Sequence, residues 1–176
     1  MGYKIFLMIM ITTLNQNMTL FDFSENSKAD GWQIINDGVM GGLSLGSITV
    51  KDGLGRFEGK VSTDNNGGFT MVRYQFERKN VSNAAKFILK LKGDGKEYQF
   101  RAKSDKYQMH SYVYTFMTTG EWQEIEIPFK VMQPRFRGRD LDQPNYGGEN
   151  LEEIAFLIGN KKSENFELLL ESVKVE

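Results

Sequence analysis

The stretch Ala85-Lys86-Phe87-Ile88-Leu89-Lys90-Leu91-Lys92 puts Ala85, Phe87, Leu89 and Leu91 on one face and its lysines on the other. That is a period of two, which only an extended strand can turn into one apolar face. After Gly93-Asp94-Gly95 the pattern returns in residues 97–103, with Tyr98, Phe100 and Ala102 inward. A glycine-rich break between two alternating runs predicts a β-hairpin. The same alternation recurs in Thr19 to Phe23, in Arg56 to Val61 with Phe57, Gly59 and Val61 on one face, and in Trp122 to Phe129 with Ile125, Ile127 and Phe129 inward. No window of helical length shows a 3.6-residue period. About eleven short strands separated by turn residues predict an all-β, antiparallel β-sandwich.

Composition agrees. Eighteen glycines supply turns, while 13 Phe and 7 Tyr supply the aromatic residues that strands favour. Lys51-Asp52-Gly53 and Asp64 to Gly68 read as turns. Phe69 to Phe76 reads as a strand carrying Arg73, and Met109 to Met117 as a long aromatic one. Residues 130–148 show no clear period and read as a long structured loop. Asn150 to Glu153 reads as one capped helical turn, and Ile154 to Gly159, apolar on both faces, as a central buried strand. In Phe166 to Val175 the phase slips between Leu170 and Val173, which predicts a β-bulge.

The chain divides into a leader, residues 1–17, and a single domain, residues 18–176. The leader has one charge, Lys4, then an apolar block from Ile5 to Ile11. It is too short to span a bilayer, and it lacks an Ala-x-Ala cleavage site. A cytoplasmic address follows if Met18 is the natural start, and an exported or periplasmic one if the leader is a signal peptide. With 22 basic and 23 acidic residues the net charge is -1, which argues against nucleic acid as a partner. With no cysteine and one histidine, His110, no metal site and no cofactor are expected. The same shortage leaves no nucleophile–base set, so the chain reads as a non-enzyme. Calcium held by loop carboxylates and the oligomeric state stay open.

Two features stand out as candidate sites. Trp32 to Ile35 reads as a buried strand that breaks at Asn36-Asp37-Gly38. Val39, Met40, Gly41 and Gly42 follow, two apolar residues and a glycine pair in an otherwise polar loop. One reading is a hairpin turn with a core-facing Met. The other is a rigid recognition loop at the end of the sandwich. The second feature is Arg135-Phe136-Arg137-Gly138-Arg139. Its guanidinium groups suit a carboxylate, a phosphate or a stacked ring, or else brace the loop onto Asp37 or a carbonyl.

Asn36 to Ser44, with Asn65-Asn66-Gly67-Gly68-Phe69, Lys92 to Tyr98, Trp122 and Pro134 to Arg139, resembles the complex I intermediate-associated protein 30 family from about Leu20 onward. The resemblance implies a jelly roll of the galactose-binding-domain-like type. It also implies an assembly factor or chaperone for respiratory NADH:ubiquinone oxidoreductase. The short form is similar to bacterial members, and the leader lacks the arginines of a mitochondrial transit peptide. The expected function is therefore a protein-binding module. Its partner would be a respiratory-complex subunit or assembly intermediate, met by Asn36, Asp37, Val39, Met40, Gly41 and Gly42 with Arg137 and Arg139. The alternative is an exported carbohydrate- or small-ligand-binding sandwich.

Overall fold

The computed structural model describes residues 17–24 and 28–176, and the side chains of Val39 and Met40 are outside the description. The leader lies almost wholly outside the described residues. Thirteen strands are described: β1 (Met18–Asp22), β2 (Trp32–Asn36), β3 (Leu45–Lys51), β4 (Leu54–Val61), β5 (Thr70–Asn80), β6 (Lys86–Lys92), β7 (Glu97–Lys103), β8 (Ser111–Met117), β9 (Trp122–Pro128), β10 (Gln133–Phe136), β11 (Arg139–Asp140), β12 (Asn150–Ile158) and β13 (Glu164–Val175). Only short 3-10 turns interrupt them.

The strands form two antiparallel sheets. One has six strands in the order β3-β4-β13-β6-β9, with β1 also on β13; the other has seven in the order β11-β10-β8-β7-β12-β5-β2. The fold is an all-β sandwich, a jelly roll of the galactose-binding-domain-like type. Between the sheets lies an aromatic core. Phe87 and Phe100 meet across it at 4.8 Å, and Phe100 meets Phe156 at 5.4 Å. All three rings are fully buried.

Alternation placed the side chains correctly but misplaced one connection. Phe87, Leu89, Leu91, Tyr98, Phe100 and Ala102 are all buried, as expected. Yet β6 and β7 are not a hairpin: β6 pairs with β13 and β9, and β7 with β8 and β12. Gly93-Asp94-Gly95 carries the chain from one sheet to the other. Asp94 fixes that arch by accepting the Tyr98 hydroxyl at 3.0 Å, the Lys96 ammonium at 2.6 Å and Glu167 N–H at 3.0 Å. An inward-facing pattern is the same whether two strands pair side by side or face each other across a core.

Three further expectations are corrected. Residues 130–148 contain the hairpin β10–β11, short enough to escape a period test. Asn150 to Glu153 opens β12 and forms no helical turn. β2 is an edge strand in which only Trp32 is fully buried. Two expectations hold: β12 sits between β7 and β5 with nearly every residue buried, and β13 has a bulge between Leu170 and Ser172. There one neighbour of β13 changes from β4 to β1.

Phe100→Ala should lower the unfolding free energy by about 3–5 kcal/mol, because it leaves a cavity between both sheets. Urea denaturation of the two proteins measures the difference.

Candidate functional site

At the end of β2 the chain makes a 3-10 turn, Asp37–Met40, closed by Gly41 at φ 85. A left-handed residue there favours glycine. The Asp37 side chain turns inward and is 3% exposed. Its Oδ1 accepts Ser44 N–H at 3.1 Å. Its Oδ2 accepts the Ser44 hydroxyl at 2.5 Å, Gly68 N–H at 2.6 Å and Phe69 N–H at 3.2 Å. Ser44 Oγ in turn accepts Ser62 N–H at 3.0 Å. Asn36 repeats the arrangement one residue earlier, its Oδ1 accepting the Thr70 hydroxyl at 2.6 Å and Gly46 N–H at 3.2 Å. Gly42 has no choice of side chain, since a Cβ there would collide with the Asp37 carboxylate.

These bonds join segments from both sheets: β2 and β5 belong to one, and the flanks of β3 and β4 to the other. Burial pushes the Asp37 carboxyl up. The Ser44 hydroxyl and the three backbone N–H groups outweigh it and hold the group below its ordinary 3.8. Among the described residues the loop exposes Gly38, Gly41 and Leu43, the last at 55%, and Leu45 at the start of β3 is 70% exposed.

Arg137 and Arg139 are elsewhere. They belong to the β10–β11 turn, where Arg137 (φ 49) and Gly138 (φ 77) make the left-handed pair of a tight hairpin. β10 and β2 are five strand spacings apart in the sheet, about 24 Å. The loop and the arginines are therefore two places, not one. No brace from Arg137 to Asp37 exists; backbone amides do that work. The Arg137 guanidinium lies 5.3 Å from the Phe136 ring centre, and Arg135 pairs with Asp140 at 2.6 Å. Phe136, Arg137 and Arg139 line an open recess of about 340 Å³.

A third surface went unread in the sequence. Register places Gln33, Arg73, Ala155, Arg101, Val113 and Gln133 in one row across the outer face of the seven-stranded sheet. A second row holds Gln75, Glu153 and Lys103, and a third Ile35, Met71, Leu157, Gln99 and Thr115. Glu153 is 3% exposed; it accepts Gln75 at 2.6 Å and lies 3.8 Å from both Arg73 and Lys103. Polar residues at alternate positions of β5 and β7 carried the signal, but strand order was needed to set them side by side.

His110 packs edge-on to Tyr112 at 5.2 Å, and its Nε2 is buried without a hydrogen-bond partner among the described residues. Burial, then Lys103, lowers its pKa. Among the described residues no three His, Cys, Asp or Glu side chains converge on a metal position, and no helix is long and apolar enough to cross a membrane.

A pinned loop, an open cationic corner and a polar sheet face are thus three separate surfaces of one antiparallel β-sandwich. Residues 21–170 match the family described as complex I intermediate-associated protein 30, and the chain belongs to that family. It is similar to the uncharacterized protein C9E9.15 of Schizosaccharomyces pombe, 26% identical over 89% of this chain and 83% of that one. Among solved structures it is similar to the family 11 carbohydrate-binding module of the cellulosomal cellulase Lic26A-Cel5E of Clostridium thermocellum. The TM-score is 0.67 at 21% identity, over 91% of this chain and 94% of that one. A family 11 module from the same organism, in complex with a β-1,3-1,4-mixed-linked tetrasaccharide, gives a TM-score of 0.64 at 22% identity, over 90% and 94%. At such identities the likeness is one of fold.

Asp37→Asn should cost about 3 kcal/mol, because an amide turns N–H against at least one of the donors that converge there. A carboxyl held low contributes its stability above its unfolded pKa and loses it as pH falls through the folded one. In urea titrations the gap between wild type and Asp37→Asn should therefore be full at neutral pH. It should shrink as pH drops below the ordinary value of 3.8.

Proposed function

We propose that the protein is a non-enzymatic module that docks a protein partner, a subunit or assembly intermediate of respiratory complex I, through the rim built on Asn36 to Gly42. The observation that carries this reading is the pair Leu43 and Leu45, more than half exposed beside a loop whose backbone is pinned by Asp37. Exposed apolar side chains on a pinned backbone lose little entropy on docking, which favours a protein contact. The glycines Gly38 and Gly41 face open space and admit a partner's backbone, and Val39 and Met40 are in the same turn. Asp37 and Asn36 act as positioning residues for that rim. Arg137 and Arg139 form a separate contact at the far sheet edge.

The carbohydrate reading gains nothing from aromatic stacking. The two exposed aromatics among the described residues, Tyr107 and Trp122, stand at opposite ends of the sandwich. Ring stacking on a sugar needs them together.

Crosslinking in the native cell tests the proposal. Wild type should capture a subunit of NADH:ubiquinone oxidoreductase, and Leu45→Asp, an exposed change that leaves the fold intact, should lose most of that product. An unchanged product from Leu45→Asp, or capture of no respiratory subunit, would overturn it.

A further inference from the structure

The outer face of the seven-stranded sheet has a charge pattern that the six-stranded sheet lacks. On the six-stranded sheet three cations each have a close carboxylate: Arg56 lies 2.8 Å from Glu167, Lys86 2.9 Å from Glu126, and Lys90 2.7 Å from Glu171. On the seven-stranded sheet Arg73 and Lys103 share one carboxylate, Glu153, which lies 3.8 Å from each. Arg73 is further occupied by a fork onto Gln33 Oε1 at 3.2 and 3.0 Å, and Lys103 by Gln108 O at 3.1 Å.

Arg101 is left over. It is half-buried, and its one hydrogen bond among the described residues is Nη1 to Gln99 Oε1 at 3.0 Å. A guanidinium has five N–H donors in a planar fork, so four stay available. No carboxylate among the described residues is within ion-pair distance of it. Burial, with Arg135 nearby, depresses its pKa to about 10, so it is still charged at neutral pH.

In the central row Ala155 separates Arg73 from Arg101, and Val113 flanks Arg101 on the other side. Ala155 and Val113 are buried under their longer neighbours, and the two arginine positions are about 10 Å apart at two strand spacings. Gln33, Gln75, Gln99 and Gln133 bring amides to the same face, and Ile35, Met71 and Leu157 lie along one side.

We propose that this face is a binding site for a small ligand bearing two or more carboxylates, held by the Arg101 fork, with the glutamine amides taking its hydroxyls. The site is distinct from the leucine rim and does not rest on the protein-docking reading. Two sources share the chemistry, a free polycarboxylate such as citrate and a short uronic-acid oligosaccharide.

Titration calorimetry with citrate, with trigalacturonate and with neutral cellotriose tests the proposal. At least one of the two acids should bind the wild type, and cellotriose should not. Whichever acid binds identifies the source. Arg101→Gln should weaken that acid about tenfold or more, while Arg56→Gln, on the other sheet, and Leu45→Asp should leave it unchanged. Thermal melting checks that each variant is folded. Failure of both acids to bind overturns the site. So does equal loss from Arg56→Gln, or binding that survives in folded Arg101→Gln.

Discussion

A single carboxylate, that of Asp37, holds the two sheets in register at one end of the sandwich. It accepts four hydrogen bonds, from a loop that leads into the six-stranded sheet and from one that leads into the seven-stranded sheet. Burying a charge is costly unless it is fully answered. Here every bond to it is charge-assisted, three of them from backbone amides. The order of cause is then clear. Asp37 demands a close approach, Gly42 permits it, and Leu43 and Leu45 are displayed as a result.

Much of this fold was legible because strand alternation reports burial directly. Phe57, Val61, Phe87, Leu89, Phe100 and Ile127 went where their period put them, and the slip in the final strand was a bulge. Pairing was not legible, because alternation says which face is buried and not which neighbour shares the sheet. Hence the link at Gly93 to Gly95 read as a hairpin and is an arch between sheets. The candidate site fared similarly. The Asn36 to Ser44 stretch was visible as unusual, but Asp37 could not be seen to point inward, since its donors Gly68 and Phe69 lie some thirty residues away. Arg137 and Arg139 were grouped with it by chemistry alone, and strand order separates them.

Family and fold bear on function at different levels. Membership in the complex I intermediate-associated protein 30 family supports the proposed docking role, whereas the scaffold itself is similar to that of carbohydrate-binding modules. A jelly roll serves both because its sheets bury their main-chain groups, leaving loops and outer-face side chains to vary freely.

The place of β13 has a consequence for biosynthesis. This last described strand is interior to its sheet, touching β4, β6 and β1. Neither β4 nor β6 can find it until nearly the whole domain has left the ribosome, and contacts so distant along the chain close slowly. Until then the apolar faces of Phe57, Phe87 and Leu89 lack their sheet partner, and such exposed surface favours aggregation.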